Sequence, residues 1–108
     1  MSIRLKIKKF RSTPVLEING DITGENVGKI TKKLENLRKA ESEKIVVDLS
    51  KTTFIDSHGL GAFVYLWRLL EEQKRELVFL NPQGFIRSLF TGTNLDKIFR
   101  VVDSEEAI

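Results

Sequence analysis

The 108-residue chain contains no cysteine and a single histidine, His58. Without cysteine there is no disulfide framework, no thiol nucleophile and no thiolate zinc site. With one imidazole, a protein metal site would have to be built largely from carboxylates. No metal site and no cofactor is expected. Long apolar runs are also missing: the longest, Leu60 to Trp67, is broken by Gly61 and falls far short of the ~20 residues a membrane span needs. Met1 to Lys6 alternates apolar and basic residues instead of forming the continuous apolar segment of a signal peptide. Repeats, low-complexity tracts and linkers are absent as well. These absences predict a single domain over residues 1–108, cytoplasmic and without membrane contact.

Charge of one sign is scarce, with a formal net charge of +3. Five cations, Arg4, Lys6, Lys8, Lys9 and Arg11, nevertheless crowd the first dozen positions. Such a cluster fits a nucleic-acid footprint or the solvated face of an edge strand, where lysines discourage unwanted pairing. Ile3, Leu5 and Ile7 alternate with the cations as a half-buried strand requires, which favours the edge strand and predicts no direct nucleic-acid binding.

What is present, 41% hydrophobic and 31% charged residues, suits a globular chain. Two strands are predicted first, at Ile3 to Phe10 and Pro14 to Asn19, joined by a short turn. Val27, Ile30, Leu34 and Leu37 then follow helical spacing, with Thr23 as the expected N-cap and Asn26 three residues on. Lys44 to Leu49 reads as a buried parallel strand covered on both faces. A helix follows over His58 to Lys74, with Leu60, Phe63, Val64, Trp67 and Leu70 on one stripe. After a strand at Leu77 to Leu80, Asn81-Pro82 is expected to start a third helix. A strand at Ile98 to Val102 and a C-terminal helix from Ser104 close the chain. The order β-β-α-β-α-β-α-β-α predicts an α/β fold, a mixed sheet with helices packed against it.

The turn Asp56-Ser57-His58-Gly59-Leu60-Gly61 carries the functional interest, since loops at the carboxyl ends of strands in α/β sheets are where ligands and partners dock. Asp56 or Ser57 is the N-cap of the helix that starts there. Ser57 is therefore either a cap or a phosphoacceptor, whose phosphate would meet the free helix amides. Gly59 and Gly61 each cost a helix about 1 kcal/mol against alanine. That cost is explained either by close approach of a strand or by backbone left open to a partner. Enzyme readings fail on spacing: Ile55 stands where a nucleophile elbow needs its first Gly, and Val64 where a dinucleotide fingerprint needs its third. Ser57 and His58 are sequence neighbours, a poor arrangement for base-assisted attack. No enzymatic activity is expected.

Val46-Val47-Asp48-Leu49-Ser50 followed by Phe54-Ile55-Asp56-Ser57-His58-Gly59-Leu60-Gly61 resembles the signature of STAS domains, above all the bacterial anti-sigma-factor antagonists. Ile18 to Ile22, Leu80-Asn81-Pro82 and Leu95 to Phe99 extend the similarity over nearly the whole chain. The resemblance implies that Ser57 is phosphorylated by an anti-sigma factor with serine kinase activity, and that a serine phosphatase reverses this. It implies that the unphosphorylated form binds the anti-sigma factor and releases the sigma factor, with Asp21, Thr23, Asp56, His58, Gly59 and Leu60 at or near the partner surface. The alternative role within the same family is a scaffold or regulatory subunit of a larger signalling assembly or anion transporter, without a phospho-switch. Three positions depart from the family pattern: His58 for a second Ser, Thr23 for an Asp, and Asn94 for a Gly at a left-handed helix end.

Overall fold

The structure is a computed structural model and describes residues 3–108. Strands β1 (Arg4–Phe10) and β2 (Thr13–Asn19) form an antiparallel hairpin whose register pairs Phe10 with Thr13 and Arg4 with Asn19. Thr13 thus belongs to β2, one residue ahead of the predicted start. The two-residue turn places Arg11 at φ 48° and Ser12 at φ 71°, the doubly left-handed geometry that matches the twist of a hairpin. The Arg11 guanidinium lies 4.8 Å from the Phe10 ring centroid.

From β2 onward the chain winds through helix crossovers: α1 (Val27–Lys39), β3 (Lys44–Asp48), α2 (Ser57–Glu72), β4 (Glu76–Leu80), α3 (Gly84–Gly92) and β5 (Arg100–Val102). The sheet order is β1-β2-β3-β4-β5, with β2 to β5 parallel. Because strands are added in sequence and βαβ crossovers share one hand, the helices stack on a single face. There Ile30, Leu34, Phe63, Leu66, Leu70, Ile86 and Phe90 pack over Leu16, Ile18, Ile45, Val47, Leu77 and Phe79. Phe79 sits at the centre of an aromatic group, 5.0, 5.2 and 4.7 Å from the rings of Phe63, Phe90 and Phe99.

The opposite face carries no helix. Val15, Val46, Val78, Leu80 and Val102 form a second apolar band, with Phe10 and Ile108 against it. Over one end of this band the Lys8 ammonium bridges Glu17 and the buried Asp48, 3.4 Å from each. Long charged side chains can shield apolar surface with their stems while their heads stay wet. The strand predicted to be covered on both faces is therefore parallel and central as expected, but its second cover is made of side chains and the chain's end.

Several further boundaries differ from the sequence reading, among them α2, which runs Ser57–Glu72 where His58 to Lys74 was expected. Thr23 is not the cap of α1: the helix starts at Val27 after Asn26, and the Asn26 Oδ1 accepts from the Thr23 amide at 2.9 Å while the Thr23 carbonyl accepts from the Val27 amide at 2.8 Å. The predicted partner reaches back, but the Thr23 hydroxyl takes no part. Asn81 adopts φ 51°, ending β4 in a left-handed turn, and α3 starts only at Gly84. β5 is shorter than predicted because residues Leu95–Lys97 form a 3-10 turn entered through Asn94 at φ 61°. In place of a C-terminal helix, Glu105–Ala107 forms one 3-10 turn, whose Ala107 carbonyl accepts from Arg100 Nη2 at 2.6 Å.

Candidate functional site

The carboxyl ends of β2 and β3 run on side by side beyond the regular sheet. Gly20, at φ +127°, turns the chain, a conformation that side-chain-bearing residues avoid. The Ile22 amide donates to the Phe54 carbonyl at 2.9 Å, and the Asp56 amide donates to the Ile22 carbonyl at 3.0 Å. The buried Thr52 hydroxyl donates to the Ile18 carbonyl at 2.8 Å. The β2–α1 and β3–α2 loops are thereby laced into one unit.

Asp56 is the centre of that unit. Its Oδ1 accepts from the His58 and Gly59 amides at 2.9 and 3.1 Å, capping α2, and its Oδ2 accepts from the Gly24 amide of the neighbouring loop at 3.0 Å. The His58 Nδ1 lies 3.5 Å from the same carboxylate. Burial alone would raise the Asp56 pKa, but the Gly24, Gly59 and His58 donors outweigh it and hold the carboxyl below the ordinary range. The cap left open between Asp56 and Ser57 is thus Asp56.

Ser57, the first residue of α2, is exposed, and among the described residues its hydroxyl has no hydrogen-bond partner. Two of the amides expected to receive a phosphate there, those of His58 and Gly59, are already taken by Asp56. A phosphoryl group on Ser57 would instead stand beside a carboxylate.

Asp21, Thr23, Gly24, Glu25, Asn26, Asp56 and His58 line one cleft of about 500 Å³. The Asp21 carboxylate is oriented by the Thr53 hydroxyl at 2.6 Å. Four of the residues singled out from sequence, Asp21, Thr23, Asp56 and His58, therefore meet around this cleft next to Ser57. The other two do not line it: Leu60 is half-buried against the core, and Gly59 lies beneath the surface. A Cβ on Gly59 would stand 2.6 Å from Ile55 Cγ1 and 2.7 Å from Ile22 Cγ2, so close packing explains this glycine. Gly61 has nothing within 4 Å of such an atom, so packing does not explain that one. Thr53, Glu25 and Asn26 were missed by sequence reasoning; no pattern marks a loop hydroxyl that orients a carboxylate contributed from 32 residues away.

Among the described residues no group of three or more His, Asp or Glu could hold a metal ion, and no helix is long and apolar enough to cross a membrane. The cleft offers the carboxylates of Asp21, Glu25 and Asp56, the Thr23 hydroxyl, the Asn26 amide and the His58 imidazole on an open surface.

Comparison with known proteins agrees with this architecture. The chain is 30% identical over 107 residues to the anti-sigma-B factor antagonist of Listeria monocytogenes, covering 97% of this chain and 93% of that protein. An anti-sigma factor antagonist from Mycobacterium paratuberculosis shares the fold at a TM-score of 0.87 and 20% identity, over 98% of this chain and 90% of the other. The Bacillus cell fate determinant SpoIIAA in its phosphorylated form superposes at 0.73 with 24% identity, over 96% of both chains. The family model described as STAS domain matches residues 4–108, and the chain belongs to the STAS domain family.

Proposed function

We propose that this chain is an anti-sigma-factor antagonist. It binds an anti-sigma factor through the Asp21–Asp56 cleft and the start of α2, and so frees a sigma factor for transcription. The anti-sigma factor is itself a serine kinase that phosphorylates Ser57 and ends the interaction, and a serine phosphatase restores the binding form. The observation that carries this reading is the free, exposed hydroxyl of Ser57 at the first position of α2, relieved of capping by Asp56. A modification there leaves the fold's own hydrogen bonds untouched.

The electrostatics support a switch in the same direction. A phosphoserine adds about 1.5 to 2 negative charges, here next to Asp56 and near Asp21 in place of a vacant nest of amides. Burying that charge against a partner lacking a new cation is costly. Moving a population from almost fully bound to almost fully free needs about 5.5 kcal/mol. A phosphate at the centre of an interface works against binding by charge repulsion, desolvation and bulk together.

The test is affinity capture from lysate of the source organism with wild type, Ser57→Ala and Ser57→Asp, with mass spectrometry of bait and prey. Wild type and Ser57→Ala should retain a kinase-like anti-sigma factor, Ser57→Asp should not, and wild type exposed to ATP should carry phosphate on Ser57. Equal capture by all three forms without phosphate on Ser57 would overturn the switch and favour a scaffolding role.

A further inference from the structure

Five large apolar side chains are exposed among the described residues: Ile7, Phe54, Tyr65, Phe85 and Ile98. Two of them are in ring contact. Phe54 and Phe85 stack with centroids 5.6 Å apart and planes 13° from parallel, while remaining 41% and 50% exposed. Phe54 belongs to the β3–α2 loop three residues before Ser57, and Phe85 to the first turn of α3. The stack therefore joins the β3–α2 loop to the start of α3 at the carboxyl edge of the sheet, with Phe54 two residues along the chain from Asp56 of the candidate site.

The platform is built rigidly. Phe54's carbonyl is fixed by the Ile22 amide at 2.9 Å. The turn before Phe85 is closed by the Gln83 side-chain amide, which donates to the Asn81 carbonyl at 3.2 Å and to its Oδ1 at 2.9 Å. Rigid aromatic side chains give large contact area for little ordering entropy, which is why they dominate binding hot spots. About half of each side chain nevertheless stays open to solvent. Nothing in the phospho-switch requires two phenylalanines there.

We propose that the Phe54–Phe85 stack is the apolar anchor of the anti-sigma-factor interface, receiving an aliphatic or aromatic side chain of the partner. The adjoining cleft fixes the rest of the partner's chemistry. Its lining holds Asp21, Glu25 and Asp56 and neither Lys nor Arg, so the complementary face pairs its apolar knob with a cation beside it. Ser57 then controls the polar half of the contact and the stack supplies the apolar half. This inference rests on the anti-sigma-factor reading above.

The experiment titrates the immobilised anti-sigma factor of the source organism with wild type, Phe85→Ala, Phe85→Lys, Phe85→Leu and Ser57→Asp, with circular dichroism melts as the fold control. Phe85→Ala is expected to weaken binding by about tenfold or more, Phe85→Lys further, and Phe85→Leu least, with melting midpoints close to wild type. Wild-type affinity in both Phe85→Ala and Phe85→Lys, together with lost binding in Ser57→Asp, overturns the anchor and leaves the function standing. Wild-type affinity in every variant overturns both. If wild type sediments as a concentration-dependent dimer that Phe85→Lys dissolves while partner affinity is unchanged, the stack is a self-association face and the anchor is overturned.

Discussion

The first turn of α2 has two sides built to different rules. On the inner side, Asp56 occupies three backbone amides, and a methyl group added to Gly59 would fall within 3 Å of both Ile22 and Ile55. On the outer side, Ser57 and His58 are exposed, and Gly61 faces open space. Residues one position apart therefore belong to different jobs. The inner side keeps the two loops and the helix in one piece. A change of charge at the Ser57 side chain would leave those hydrogen bonds in place. A regulated surface benefits from this separation, because a modification that also loosened the fold would expose the core each time it was made.

Substitutions on the two sides should part ways in the same denaturation assay. Gly59→Val should cause the largest loss: its side chain overlaps buried Ile22 and Ile55, and overpacking of this kind costs about 1–3 kcal/mol, read as a lower urea midpoint at unchanged m. Asp56→Asn should also lower the midpoint, by less, and should flatten the acid limb of the stability profile. The sign follows from the depressed carboxyl: its stabilisation is present above the unfolded pKa, about 3.9, and is lost as pH falls through the lower folded value. Wild type should therefore lose stability below about pH 4 more steeply than Asp56→Asn in parallel urea titrations. Gly61→Ala should raise stability by about 0.5–1 kcal/mol, since the added methyl meets nothing. Ser57→Ala should leave the midpoint where it is. A clear loss in Ser57→Ala would mean that the serine does help to cap the helix, and the division between the two sides would fail.

Much of this division was absent from the sequence for a physical reason. The run Lys44 to Leu49 and the spacing of Ile30, Leu34 and Leu37 report which faces are buried, and those elements lie where the pattern put them. Alternation placed the strand at Arg4–Phe10 as well, but Ile7, expected half-buried, is exposed on the edge strand, which has a neighbour on one side only. Capping is different, because adjacent residues of equal chemical aptitude compete for the same amides. Asp56 and Ser57 are both good caps, and the backbone decides: Asp56 is extended at φ −95°, ψ −177°, while Ser57 is already helical. Thr23 failed as a cap for another reason: its carbonyl and amide, not its hydroxyl, meet the start of α1, and no side chain caps that helix. Asn81-Pro82 misled because Asn suits a left-handed turn as well as a cap, and here it makes the turn. Asp21, Thr23, Asp56 and His58, far apart in sequence as two pairs, meet around one cleft. No pattern in the sequence marks Phe54 and Phe85 as an exposed pair, since exposure is a property of packing and not of residue type.

The bridge from Lys8 to Glu17 and Asp48 reaches from the edge strand across β2 to the centre of the sheet. If β1 slipped by one residue against β2, every side chain would change faces. The ammonium would then point among the helices, and Asp48 would lose its cation. The ion pair thus acts as an alignment pin for the hairpin, penalising the misthreaded sheet more than it strengthens the correct one.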